Sequence, residues 1–201
     1  MSNTVVDLIR HGEPLGGRAI RGNGIDDSLS DLGWQQMRSA VADYSKWNLI
    51  VSSPLVRCSD FSREISDKLK IPIMIEDNLK EVGFGNWEGR TQDEIKNTNL
   101  DEYQQFYLDP VNNRPVGAEP LLEFFTRVVE VYEKIIKTHK GERILIVTHA
   151  GVIRAIITHI LKAELSSMYR IKVFNAGITR IVHTKDNSIL ERHGVNLKAF
   201  V

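Results

Sequence analysis

The sequence predicts an α/β fold: a three-layer αβα sandwich built on a mostly parallel sheet with one antiparallel strand. Three observations predict it. Short β-branched, apolar runs alternate with longer amphipathic ones along the whole chain. Two of the runs, "TVVDLIR" and "ERILIVTHAG", are apolar on both faces, as strands covered on both sides of a sheet are. The last two strand-like runs are joined by a tight turn and so form a hairpin, which brings in the antiparallel strand.

The elements follow in order. Thr4–Arg10 reads as the first buried strand. "SDLGWQQMRSAVADYS" reads as a helix capped by Ser30, with Leu32, Met37, Val41 and Tyr44 near helical spacing. "WNLIVSS" is a second strand. "SPLVRCSDFSREISDKLK" is a second helix, with Ser53 as its cap and Pro54 at its first position. "IPIMIE" is a third strand. Residues 91–120 fit neither period well and read as short helices and a loop forming a lid. "EPLLEFFTRVVEVYEKIIKTHKG" is a long amphipathic helix closed by Gly141. "ERILIVTHAG" is the fourth strand, "AGVIRAIITHILK" the helix after it, and "ITRIVHTK" and "SILERHGV" the late strands around "KDNS".

At 201 residues the chain suits one domain, taken as residues 1–201, large enough to bury a core. Lys+Arg and Asp+Glu both number 26, so the formal charge is zero, which argues against a nucleic-acid or anionic-membrane surface. Cys58 is the only cysteine, so neither an internal disulfide nor a cysteine-based metal cluster can form. The N-terminus has no signal-peptide pattern and no apolar stretch is long enough to span a bilayer, so a cytoplasmic location is expected.

Ligands of open α/β sheets bind at the carboxyl ends of the strands. There the sequence places Arg10 and His11 after strand one, Arg57 in the helix after strand two, Glu81 in a glycine-rich loop after strand three, and His149 after strand four. Two guanidiniums can grip a phosphoryl group, and helix N-termini at Pro54 and Ala150 can add backbone N–H donors. A histidine can act as nucleophile and a glutamate as proton donor.

Plainer readings compete at each position. His11 alone could be a strand-end residue meeting solvent, and Glu81 a carboxylate capping an amide. Glu88 reads as support for its loop and Trp87 as packing. His139 and His159, on the helices either side of strand four, do not have the spacing of a shared metal site with His149. His183 and His193 read as ordinary strand residues. Cys58 lies inside a helix, and Glu64 stands where a Cys-x5-Arg phosphate loop needs arginine, so it reads as a packed side chain. "GFGNWEG" is not a dinucleotide fingerprint, because Glu88 replaces the third glycine.

Four segments, "LIRHGEP", "VSSPLVRC", "KEVGFGNWEG" and "IVTHAGVIR", resemble in order the signature segments of the histidine phosphatase superfamily, the phosphoglycerate mutase-like fold. "PVGAEPLLEFFTRV" resembles its segment before the long helix. The resemblance implies that His11 becomes phosphorylated, that Arg10, Arg57 and His149 hold the phosphoryl group, and that Glu81 gives the proton, with no metal and no cofactor. The asparagine that many members carry after the first motif is missing here. Asn23 could replace it, and Arg21 or Arg18 could reach the substrate. The short distance from Glu81 to His149 favours a phosphatase over a cofactor-dependent mutase. "RHGEPLGG", "RGNGIDDSLSDLGWQQM" and "FGNWEG" resemble the bacterial α-ribazole phosphatases, which act late in cobalamin assembly. The expected partner is a small phosphomonoester, with a homodimer left open. The rivals are a sugar-bisphosphatase or mutase of the same fold, and a catalytically silent phosphate-binding module.

Overall fold

The computed structural model describes residues 2–197; Met1 and residues 198–201, which the expected domain bounds include, lie outside the described residues. Six strands form one sheet in the order β3-β2-β4-β1-β5-β6. They are β1 (Thr4–Arg10), β2 (Leu49–Ser52), β3 (Ile73–Ile75), β4 (Arg143–Thr148), β5 (Ile178–His183) and β6 (Ser188–Val195). The β1–β4, β2–β4 and β2–β3 pairs are parallel, whereas β5 runs against both β1 and β6. The hairpin therefore supplies the one strand that opposes the rest, as the sequence pattern predicts.

Helices cover both faces. On one side lie α1 (Asp31–Val41) and α2 (Val56–Leu69), packed through Met37, Val41, Phe61 and Ile65 on Ile9, Ile50 and Val147. On the other lie α5 (Leu121–Thr138) and α6 (Ala150–Ile160), packed through Phe124, Val128, Ile153 and Ile157 on Val6, Leu8 and Ile146. Successive strand residues thus feed opposite cores, which is why β1 and β4 are apolar at nearly every position. Between β3 and α5 the chain forms α3 (Gln92–Thr98) and α4 (Leu100–Leu108). Ile95 and Phe106 from these helices bury against Trp87 in a third, smaller cluster. No helix of the described residues is long and apolar enough to cross a membrane.

The structure corrects four details of the sequence reading. Helix α2 begins at Val56 with Leu55 as its cap, not at Pro54 behind Ser53. Ser53 directly follows β2 and stays bonded to the sheet, its N–H donating to Val147 O at 3.0 Å, and its hydroxyl is engaged by His149. Leu32 is 49 % exposed, so the buried face of α1 runs through Met37 and Val41 without it. Helix α1 ends at Val41, leaving Tyr44 beyond it, buried against Trp47 at a ring-centroid distance of 4.7 Å. Finally, α5 and α6 cover the same face, so His139 and His159 are not on opposite sides of β4; each pairs with its own carboxylate, Glu142 at 3.3 Å and Glu133 at 2.8 Å.

Candidate active site

Strand register builds the centre of the site. Arg10 of β1 pairs with Thr148 of β4, and the His11 N–H donates to Thr148 O at 2.9 Å. The next residue of each strand is a histidine, so His11 and His149 stand side by side, ring centroids 5.2 Å apart and inclined at 62°. The exit from β1 is tight. A Cβ on Gly12 would lie 2.2 Å from Gly33 O, so only glycine lets the chain pass α1 here.

The Nδ1–H of His11 donates to its neighbour's carbonyl, Gly12 O, at 2.8 Å; a carbonyl can only accept, so this fixes the tautomer and leaves Nε2 with its lone pair. Burial, then the Arg10 and Arg57 cations, hold His11 well below the usual histidine value. Burial, then Arg57, His11 and Arg10, do the same to His149. Both rings are neutral at neutral pH. His149 is fully buried, its Nε2 2.7 Å from Ser53 Oγ. The Cys58 sulfur packs on that ring at 3.7 Å, and burial raises its thiol far above the usual range, so it stays protonated.

Arg10 donates to Val173 O at 2.9 Å, and burial lowers its guanidinium to about 10, which still leaves it cationic. Arg57 donates to Gly22 O and Ile25 O at 2.9 and 2.8 Å. Each of these arginines has a buried Nε–H with no hydrogen-bond partner. Donor capacity that the protein leaves unused beside two neutral imidazoles suits an anion.

Glu81 joins this group. Its carboxylate accepts from Gly151 N at 3.0 and 3.2 Å and from Val82 N at 2.9 Å, while lining the same cavity as Arg10, His11 and Arg57. A Cβ on Gly151 would come 2.2 Å from Glu81 Oε1, so that approach needs glycine. Glu81 therefore caps an amide and faces the cavity at once. Its backbone is clamped by Arg127 of α5, which donates to Lys80 O and Glu81 O and pairs with Glu119 at 2.7 Å. Glu119 in turn accepts from Gly83 N. This clamp was missed in the sequence, although the segment containing Glu119 and Arg127 stood out there.

The helix N-termini behave differently from expectation. The α2 terminus gives its Val56 N–H to Asp26 Oδ1 at 2.7 Å, and α6 gives its Gly151 N–H to Glu81. Ala150 does line the cavity. Arg21 also lines it, but its guanidinium is spent on the loop, donating to Asp27, Gly17 O, Ala19 O and Leu15 O. Through these bonds it organises residues 14–28. Asn23 is exposed, lies outside the cavity lining and rests against Gly83. Arg18 is exposed on the rim. Glu88 accepts from Phe84 N and Gly24 N at 2.9 and 3.1 Å, tying the two loops together as read from the sequence.

The cavity measures about 990 Å³. The 91–120 segment walls it with Thr91, Gln92, Phe106 and Tyr107, as expected of a lid. Trp87, 1 % exposed, is a packing residue at its edge. Arg154 and Tyr169 also line it, and the sequence reading passed over both. Among the described residues, no group of three or more His, Cys, Asp and Glu side chains is placed to hold a metal ion.

A single sheet between two helix layers, carrying two buried histidines and two anchored guanidiniums at the carboxyl ends of its strands, defines an α/β protein with a candidate anion-binding site. The chain belongs to the histidine phosphatase superfamily (branch 1), whose family model matches residues 6–196, and is a phosphatase. It is 31 % identical over 189 residues to the metal-independent phosphoserine phosphatase of Arabidopsis thaliana, covering 91 % of this chain and 77 % of that protein. The solved structure of YhfR from Bacillus stearothermophilus superposes with a TM-score of 0.86 at 24 % identity, over 96 % of this chain and 97 % of that one. The α-ribazole phosphatase of Shigella flexneri superposes at 0.80 and 24 % identity, over 94 % and 96 %.

Proposed function

We propose that the chain is a phosphomonoesterase that passes the phosphoryl group through His11. The observation that carries this reading is the His11 tautomer: with Nδ1–H tied to Gly12 O and the ring kept neutral, Nε2 keeps its lone pair for nucleophilic attack in a cavity that Arg10 and Arg57 also line. In the first step Nε2 attacks phosphorus, the phosphorus–oxygen ester bond breaks, and the leaving oxygen takes a proton from Glu81. In the second, water attacks the phosphohistidine, Glu81 takes the water proton, and the phosphorus–nitrogen bond breaks to release phosphate. Arg10 and Arg57, which line the cavity, hold the phosphoryl oxygens as charge moves, the main demand of phosphoryl transfer, while His149 stands behind them beside His11 with Nε2 on Ser53 Oγ, outside the cavity lining. Proton transfer by a placed carboxyl is worth about 10² to 10⁴ in rate.

Two leaving groups have specific support. The resemblance of the 10–37 segment supports α-ribazole 5′-phosphate. The relationship to a phosphoserine phosphatase supports phosphoserine. A panel of both, with fructose 2,6-bisphosphate, phosphoglycerates and p-nitrophenyl phosphate, assayed in EDTA beside His11→Ala, tests the mechanism and ranks the substrates. The expected result is EDTA-resistant turnover lost in His11→Ala, with an acid-labile, alkali-stable phosphoenzyme in the parent. Turnover retained in His11→Ala would overturn the reading. Glu81→Gln should slow an alkyl phosphate more than p-nitrophenyl phosphate, whose leaving group needs little protonation; equal losses would contradict the proton-donor role.

A further inference from the structure

We infer that Arg154 is the specificity-determining residue of this pocket and holds a second anionic group, a carboxylate, on the leaving side of the substrate; the inference rests on the phosphomonoesterase reading above. Arg154 stands four residues after Ala150 on α6, so both are on one helix face, and both line the cavity. The guanidinium therefore lies one helical turn beyond the end that presents Gly151 to Glu81.

Its geometry is prepared for a ligand. Nε donates to Ile171 O at 2.9 Å, and the guanidinium lies over the Tyr169 ring at 5.3 Å. Tyr169 is fixed in turn, its hydroxyl accepting from Arg114 at 2.9 Å, and Arg114 is anchored on Gly83 O and Glu119 O. The two terminal nitrogens of Arg154 have no hydrogen-bond partner among the described residues. A planar fork fixed at its base and free at its tip matches a carboxylate bidentately at small entropic cost.

Charge counting agrees. The cavity lining carries the cations Arg10, Arg18, Arg21, Arg57, Arg154 and Lys172 against the carboxylates Glu13, Glu81 and Asp93, six against three. Arg21 is already paired with Asp27, so its charge is not available to a ligand. Of the cations not assigned to the phosphoryl group, Arg18 and Lys172 are exposed rim residues, whereas Arg154 is half-buried and fixed, which makes it the one best placed to hold a second anionic group.

The inner part of the aromatic wall is already engaged. Phe106 meets Trp87 and Tyr169 at 5.0 and 4.8 Å, Arg114 lies over Phe84 and Phe106, and Arg154 itself lies over Tyr169. These inner rings are packed on one another and on arginines, whereas Phe174, exposed on the lining, lies against Lys172. Of the two supported substrates, phosphoserine carries a carboxylate and α-ribazole 5′-phosphate does not.

Two substrate pairs that differ in a carboxylate test this: phosphoserine against phosphoethanolamine, and 3-phosphoglycerate against glycerol 3-phosphate. In the parent protein kcat/KM should favour the acidic member of each pair at least tenfold. Arg154→Met should bring both ratios to within about twofold of unity, mainly through KM, and Arg154→Lys should restore part of the preference. Ratios near one in the parent, or an equal loss on both members in Arg154→Met, would overturn the assignment while leaving the phosphatase reading intact. Thermal unfolding confirms that each variant is folded. Turnover that survives His11→Ala would instead remove the phosphohistidine reading, and this assignment with it.

Discussion

His11 and His149 are neutral because they are buried beside cations, and that has a thermodynamic sign. Both titrate below 6.5 when folded and near that value when unfolded. Below that value the unfolded chain binds more protons than the folded one. The stability these rings contribute is therefore complete above it and falls as pH drops toward the folded values, by up to about 1.4 kcal/mol per pH unit for each ring. Thermal midpoints measured from about pH 7.5 to about pH 5 should fall less steeply in His149→Asn than in the parent; parallel slopes would show that the ring is not held neutral. In the proposed mechanism the same pressure acts on turnover, since protonation removes the Nε2 lone pair. The proposed nucleophile, His11, was legible in the sequence because the strand end, the glycine and the second histidine each carried part of the pattern. Arg154 was not, since an arginine within an apolar helix reads as a solvent-facing residue until Ile171 and Tyr169, from a later segment, are seen to hold it.

At the level of elements, α2 depends on a cap supplied from another segment. Leu55 has no side chain to cap with, and Asp26 accepts the Val56 N–H while lying 3.9 Å from Arg57. Asp26→Ala should lower stability by about 1 kcal/mol, the ordinary worth of such a cap, read from urea unfolding. No change would mean that water replaces it. This cap shows where sequence reading ends. The boundaries of β1, β4 and α5 follow from local periodicity, and the structure places them within a few residues of expectation. The start of α2 does not, because the Ser53 hydroxyl that marked it is claimed by His149, 96 positions away. The surroundings of Arg21 and Asn23 were not legible for the same reason: loop backbone carbonyls engage the Arg21 guanidinium, and no local pattern records where a loop folds back on itself.

The sheet as a whole is pinned by a buried ion pair between its central strand and its antiparallel one. Arg180 of β5 donates to Asp7 of β1 at 2.7 and 2.9 Å, and the Trp47 indole N–H donates to the same carboxylate at 2.9 Å. The Asp7 side chain is 1 % exposed and that of Arg180 8 %. Breaking such a pair from one side costs about 3 to 5 kcal/mol, so Asp7→Ala should lower the urea midpoint strongly, far more than Asp26→Ala. An effect as small as that of a surface residue would show the pair to be solvated. The alternation of strands and helices made the layers legible, but Asp7 inside an apolar strand gave no sign of its partner, 173 positions further on. The loop of residues 14–28 is fastened in another way. Arg21 and Arg57 grip its carbonyls, and Glu88 its Gly24 amide. Those anchors ignore the identity of most side chains along it. The loop is thus an exchangeable cassette: an engineer can rewrite most of its side chains while the arrangement of Arg10, His11 and Arg57 stays as it is, provided its length, its anchoring residues and its backbone path are kept.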